Sequence, residues 1–260
     1  VSLAKKRFGL KPHVLEVERN LDHWEQICAY LKKSKYVIVS HYHYDHHNPR
    51  TPRVLTDKHL FVKSPRLVNK SQQKRSRYFL EQIRGLAADI HHSDWRFFEL
   101  EENIALHFSG ALPHGPEGTK LGYVVATTIA CNDETFTHTS DVLGIQAEVQ
   151  FQYIIEQNPT LLYVDGPSAK PTPSSKKELE KSMSFLEEII SKTHVRTVIL
   201  DHHLLRSLKW KAKIASLLQT AENSGVCIST AAEFLGEQND LLEAKRKLLY
   251  EEQEGTGSNA

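Results

Sequence analysis

No hydrophobic run in this chain approaches the roughly 18–20 residues that a membrane-spanning helix requires, so no membrane partner is expected. Cysteine is scarce as well. Cys28, Cys131 and Cys227 lie far apart and form no Cys-x-x-Cys pair, which argues against a disulfide framework and against a thiolate zinc site. They read as small buried hydrophobes in a reducing cytosol. Net charge is nearly absent: 33 Lys and Arg against 32 Asp and Glu leave +1, too little for a global polyanion-binding surface, although local patches remain open. The first residues do not read as a signal peptide, because Lys5, Lys6 and Arg7 lead into mixed sequence. A cytoplasmic location is the expectation. Nothing in the sequence speaks to oligomeric state.

What the chain holds in quantity is histidine, 15 in 260 residues and several of them clustered. Histidine is the commonest neutral metal ligand. The background is that of an ordinary soluble globular protein, 40% apolar and 25% charged. Its length supports one large domain, expected over residues 1–250, with the Glu- and Gly-rich stretch 251–260 as a disordered tail.

Hydrophobic periodicity predicts a helix over 20–33 with Leu21, Trp24, Ile27, Cys28 and Leu31 on one face, then a buried strand over 36–40. A strand over 60–63, a strongly basic helix over 71–83 and hairpin strands around 95–110 follow. A further strand pair, over 121–130 and 135–139, turns at Asn132-Asp133. The second half alternates: helices over 146–156, from Ser175 and over 209–222, and strands over 161–164, 195–200 and 226–229. Ser175-Lys176-Lys177-Glu178 has capping-box spacing, with Pro171-Thr172-Pro173-Ser174 as the loop before it. Strands early and alternation late predict packed sheets with helices outside, an α/β fold.

The histidine run starts where the first strand ends. His41, His43, Asp45 and His46 fall within six positions, and a loop there can turn alternate side chains two ways, toward two neighbouring metal ions. Mixed imidazole and carboxylate donors suit zinc, and also iron or manganese. Further donors occur in similar settings: His114 in a Pro-His-Gly-Pro loop, Asp141 after a strand, and His202 and His203 after another.

This string, His41-Tyr42-His43-Tyr44-Asp45-His46, resembles the His-x-His-x-Asp-His signature of the metallo-β-lactamase superfamily. Its continuation through His47-Asn48-Pro49 is similar to an uncharacterised archaeal branch. The resemblance covers most of the chain, including Val164-Asp165-Gly166-Pro167 and the segment from Leu200 to Arg206. It implies an αββα sandwich and two divalent cations: His41, His43 and His114 on the first, Asp45, His46 and His202 on the second, with Asp141 bridging. His203 is the alternative to His202. The family pattern also implies opening strands that carry a buttressing aspartate. No such pair precedes the first helix here, so the sandwich is expected to lack its first strands.

Two such cations would bring a shared water's pKa from about 16 toward neutrality, making a nucleophile without an activated serine or cysteine. Asp45 would bind metal and orient it; His203 or His138 is a candidate acid, with a supporting structural role the alternative for each. Lys120 and Arg206 are the candidate phosphate contacts. Lys70, Lys74, Arg75, Arg77 and Arg84 read as a solvated cationic face, and Tyr42 and Tyr44 as packing beneath the site. The expected reaction is hydrolysis of a phosphodiester in a small phosphate-containing molecule or nucleic acid. Lactone, ester or amide hydrolysis is the enzyme alternative, di-iron redox chemistry a further one, and an inactive metal-stabilised scaffold binding nucleic acid or protein the non-enzyme one. Only 61 residues separate Asp141 from His202, too few for the accessory domain of the RNA-processing nucleases of the superfamily.

Overall fold

In the computed structural model, which describes residues 3, 6–101, 103–168 and 173–257, the parallel strands β1 (Tyr36–Val39) and β2 (His59–Val62) carry apolar side chains on both faces. Successive strand residues point to opposite sides. Val37, Val39, Leu60 and Val62 therefore meet Phe79, Ile83 and Leu31 of two helices, α1 (Val14–Lys33) and α2 (Lys70–Ile83). Tyr36, Ile38 and Phe61 point the other way, onto Phe98, Leu106, Phe108 and Ile129 of a second sheet and onto Val125 beside it. Double-sided burial is what makes these strands inner layers.

β3 (Asp89–His92) completes the first sheet, order β1-β2-β3, all parallel. The second sheet is built from β4 (Phe97–Glu101), β5 (Ile104–Phe108), β8 (Thr127–Cys131), β9 (Glu134–His138), β10 (Leu161–Val164), β11 (Thr197–Leu200) and β12 (Cys227–Ser229), in the order β12-β11-β10-β9-β8-β5-β4. Its half from β9 to β12 is parallel and its half from β4 to β9 antiparallel. A two-residue pair, β6 (Leu112–Pro113) with β7 (Tyr123–Val124), lies beside it. Helices α3 (Glu148–Gln157), α4 (Pro173–Lys192), α5 (Trp210–Lys213) and α6 (Ala215–Asn223) cover its outer face through Phe151, Ile154, Met183, Leu186, Ile190, Trp210 and Leu217, packed on Leu162, Val164, Val198 and Leu200. The layers run helix, sheet, sheet, helix, as the resemblance implies. Two further helices close the chain, α7 (Ala231–Phe234) and α8 (Leu242–Gly257).

Several elements differ from their sequence reading. α1 starts six residues early, because Glu16 and His13 form a capping box in which an imidazole replaces the usual hydroxyl. Its expected apolar face is only partly used: Leu31 packs inward, while Leu21 and Ile27 are exposed. α4 opens at Pro173, so Ser175 lies inside the first turn and is not its cap. Of the loop expected over 171–174, residues 171 and 172 lie outside the described residues and 173 and 174 belong to α4. The helix expected over 209–222 breaks at Ile214, which is buried with Trp210. The three cysteines are free, and none is fully buried; Cys227 is exposed.

The expected disordered tail is also not seen, since α8 continues to Gly257; residues 258–260 lie outside the described residues. What fixes α8 is a fully buried ion pair to α1. Arg246 donates through Nε and NH2 to both oxygens of Glu16, at 2.7 and 2.8 Å. Removing one partner of such a pair strands the other charge away from water, at a cost of about 3–5 kcal/mol. Glu16→Ala should lower the stability measured by urea denaturation by that amount; a loss below about 1 kcal/mol would show that water reaches Arg246.

Candidate metal centre

The carboxyl ends of β1, β9, β10 and β11 meet at one rim of the sandwich, the place where open α/β sheets present their binding groups. β1 leads into His41, β9 into Ser140 and Asp141, β10 into Asp165, and β11 into His202 and His203. Asp141 is the common point. Its Oδ2 lies 3.1 Å from His46 Nε2, 3.4 Å from His114 Nε2 and 3.6 Å from His203 Nε2, and its Oδ1 lies 3.4 Å from His202 Nε2. Three overlapping groups have donor atoms within 4.8 Å of one another: His41, His43 and His114; His41, His46 and Asp141; Asp141, His202 and His203.

The loops are held in place by buried polar groups. The His41 Nδ1 edge faces the hydroxyls of Ser40 and Ser140, each 3.3 Å away, which leaves Nε2 buried without a partner and aimed into the cluster. Tyr42 is wholly buried and its hydroxyl donates to the Lys63 carbonyl at 2.5 Å. His47 closes the turn by donating from Nδ1 to the His43 carbonyl at 2.9 Å. Gln150 ties two loops together: its amide donates to the carbonyls of Pro113 and Gly115, flanking His114, while its oxygen accepts the N–H groups of Gln146 and Ala147.

The loop that carries Asp141 is strained. Ser140, Leu143 and Ile145 all adopt positive φ, 61°, 54° and 66°, at a cost on the order of 1–3 kcal/mol each. Gly144 between them has φ 81°, and a Cβ there would come within 2.4 Å of the Pro167 nitrogen. Asp165 holds this geometry. Its carboxylate accepts the N–H of Leu143 at 2.7 Å and of Gly144 at 3.0 Å. In the sequence Asp165 carries one signal of this role, an acid directly after a buried strand, the setting also of Asp141.

Electrostatics follow the packing. Burial raises the cost of ionising Asp141, yet hydrogen bonds from His114, His202, His203 and His46 outweigh it and hold the carboxyl far below the usual range. Burial, and then the charge of Asp141, push Asp165 well above it. Burial also drives His41 well below its ordinary value and takes His43, His47, His138 and His203 each down to about 4. For His202 the burial effect is overcome by its hydrogen bond to Asp141, and its pKa rises.

A cavity of about 550 Å3 opens over these groups, walled by His43, Asp45, His114, Asp141, His203 and Arg206 and completed by Leu121, Leu143, Ser168, Ser175 and Glu178. Asp45 faces the cavity but belongs to none of the three close donor groups; its side chain is 46% exposed. Arg206 sits in the wall. Lys120 does not: it is exposed, its carbonyl accepting from Asn69, and the neighbouring Leu121, itself exposed, lines the cavity instead. Tyr42 packs beneath the site as expected, whereas Tyr44 is exposed at the rim with the Arg75 guanidinium 4.8 Å above its ring. Arg75 thus departs from the solvated face of α2.

The donor set fits a metal. Imidazole nitrogens and one low-pKa carboxylate converge, with the orphaned His41 Nε2 among them, and neutral imidazoles are the protonation state a cation needs. The fold is a metallo-β-lactamase-like αββα sandwich with a candidate metal centre at the rim where its strands end. No protein-family model matches the chain. A UPF0282 protein of Korarchaeum cryptofilum is 38% identical over 255 residues, covering 96% of this chain and 84% of its own length. UPF0282 proteins of Metallosphaera sedula and Saccharolobus solfataricus are 36% and 37% identical over 257 and 259 residues, covering 96% and 97% of this chain and 82% and 83% of their own. The chain belongs to the UPF0282 family. Among solved structures, zinc-bound PqqB from Methylobacterium extorquens aligns with a TM-score of 0.47 and 11% identity over 75% of this chain and 70% of that one, a likeness too distant to bear on the site.

Two outcomes follow from this geometry. Asp165→Asn replaces one acceptor by a donor facing a backbone N–H, so the Asp141 loop should loosen and zinc affinity in chelator competition should fall about 10–100-fold; unchanged affinity would contradict the clamp. Separately, histidines with folded pKa near 4 against about 6.5 unfolded bind more protons when unfolded between those values. Stability of the metal-free protein should therefore fall as pH drops from 6.5 to 4. A flat denaturation midpoint across that window would contradict these assignments.

Proposed function

We propose that this chain is a metal-dependent hydrolase whose substrate is a phosphodiester, in a nucleotide or a nucleic acid. The observation that carries the reading is the convergence of imidazoles from three separate segments on Asp141, beside an open cavity. In this reading His41, His43 and His114 would hold one divalent ion and Asp45, His46 and His202 a second, with Asp141 shared. Zinc suits the donors, and iron or manganese is compatible with them. Bound metal supplies Lewis acidity and a nucleophilic water at neutral pH.

The chain's own groups supply the rest. Asp45, at the cavity wall, accepts a proton and orients the attacking water. His203 faces the leaving group, and Arg206 places positive charge where phosphoryl oxygens gather. Leu143, half-buried, shields part of the wall from water, which strengthens the interactions beside it.

A second reading, hydrolysis of a lactone, ester or amide, draws on the same wall: Glu178, Asp45 and Asp141 set three acids against the one guanidinium of Arg206, a balance kinder to a less anionic substrate. Assays on bis(p-nitrophenyl) phosphate, a lactone and a β-lactam separate the two. Zinc- or manganese-loaded protein should cleave the phosphodiester, and His43→Ala should reduce kcat/KM by about 100-fold or more. Activity surviving that substitution rejects the site, and turnover of the acyl substrates alone selects the second reading.

A further inference from the structure

We propose that Arg206 is a positioning residue that locks His203 as its Nε2–H tautomer, making His202 the metal-binding imidazole of the pair and His203 a neutral hydrogen-bond donor into the cavity. The inference rests on the metal-centre reading for its ligand half; the tautomer half stands on the metal-free geometry.

Arg206 NH1 lies 2.9 Å from His203 Nδ1. A guanidinium has five N–H donors, no acceptor, and does not give up its proton in proteins. Nδ1 is therefore the acceptor of this contact and carries no hydrogen. The proton of the neutral ring then sits on Nε2. That atom is buried without a hydrogen-bond partner, with Asp141 Oδ2 at 3.6 Å and Asp165 Oδ2 at 3.7 Å, so its proton is free for a group entering the cavity. A metal binds only an unprotonated ring nitrogen. His203 has none to offer: Nε2 holds the proton and Nδ1 is taken by Arg206. His202 has Nε2 directed at the other oxygen of Asp141, 3.4 Å away, and fills the ligand role.

The guanidinium is itself braced from both ends of the described chain. Its Nε lies 3.4 Å from Glu243 Oε1 at the start of α8, and the same oxygen lies 3.1 Å from Arg7 NH1. Arg7 also donates through NH2 to the Arg206 carbonyl. The rotamer of Arg206, and with it the His203 tautomer, depends on Glu243. A neutral Nε2–H ring stabilises developing negative charge and does not surrender its proton, since loss would leave an imidazolate. His203 is thereby a donor to the substrate and not the general acid.

Long-range proton–nitrogen correlation spectra of protein labelled with 15N-histidine read the tautomer directly, with His203 assigned by its loss in His203→Gln. The expected spectrum of the metal-free protein shows His203 neutral with the proton on Nε2, and zinc saturation leaves that proton in place while shifting His202. Arg206→Met should give a mixture of tautomers, and Arg206→Lys, which still donates to Nδ1, should restore the wild-type pattern. Glu243→Gln, which keeps the guanidinium present, should give a partial mixture if Arg206→Met does not fold. In zinc titrations His203→Gln should keep the wild-type stoichiometry, and His202→Gln should bind its last zinc at least about ten-fold more weakly. A His203 ring with its proton on Nδ1, or unchanged by Arg206→Met, overturns the tautomer half. Loss of the Nε2 proton on adding zinc, or loss of zinc from His203→Gln alone, overturns the ligand half. Wild-type protein that takes up no zinc defeats the metal-centre reading itself while leaving the tautomer result intact.

Discussion

One carboxylate organises this end of the molecule. Asp141 is buried, and a buried carboxylate is tolerated only when its charge is met by donors. Here the Nε2 edges of His46, His114, His202 and His203 surround it at 3.1 to 3.6 Å, supplied by three loops far apart in sequence. Burial in the same pocket pushes His41 well below its ordinary value and takes His203 down to about 4, while the hydrogen bond to Asp141 raises His202. Imidazoles gathered around one buried carboxylate are the donor set of a bound cation. The candidate metal centre is the arrangement in which these opposing costs cancel.

The fold makes that convergence rigid. Parallel strands deliver Ser140-Asp141, Asp165 and His202-His203 to the same rim, and β1 delivers His41 to it from the facing sheet. Gln150 then couples the His114 loop to the Asp141 loop, and Asp165 restrains a backbone with three non-glycine residues at positive φ. Strain of this kind persists only when its surroundings over-determine it. Two buried acids thus divide the work: Asp141 faces the cavity, and Asp165 holds the loop that aims Asp141.

How much of this the sequence disclosed depended on the range of the interaction. The run from His41 to His46 and the two-faced strand at 36–39 are local patterns, and both appear where the periodicity places them. β3 escaped because Asp89-Ile90-His91-His92 offers one apolar residue and no alternation. Residues 251–257 read as tail because the helix they extend is anchored by Arg246 to Glu16, a partner 230 residues away that composition cannot reveal. Lys120 looked well placed by its distance along the chain from His114, yet it is exposed and the neighbouring Leu121 lines the cavity in its stead. The role of Asp165 is set by a loop that approaches only after β9 and β10 pair.

The most direct measurement is the anomalous scattering of zinc in crystals of the zinc-loaded protein. The account predicts two peaks a few ångströms apart, one among His41, His43 and His114 and one among Asp45, His46 and His202, both touching Asp141. Zinc peaks elsewhere, for example at the half-buried His59, Asp89 and His91, with none beside Asp141, would contradict it.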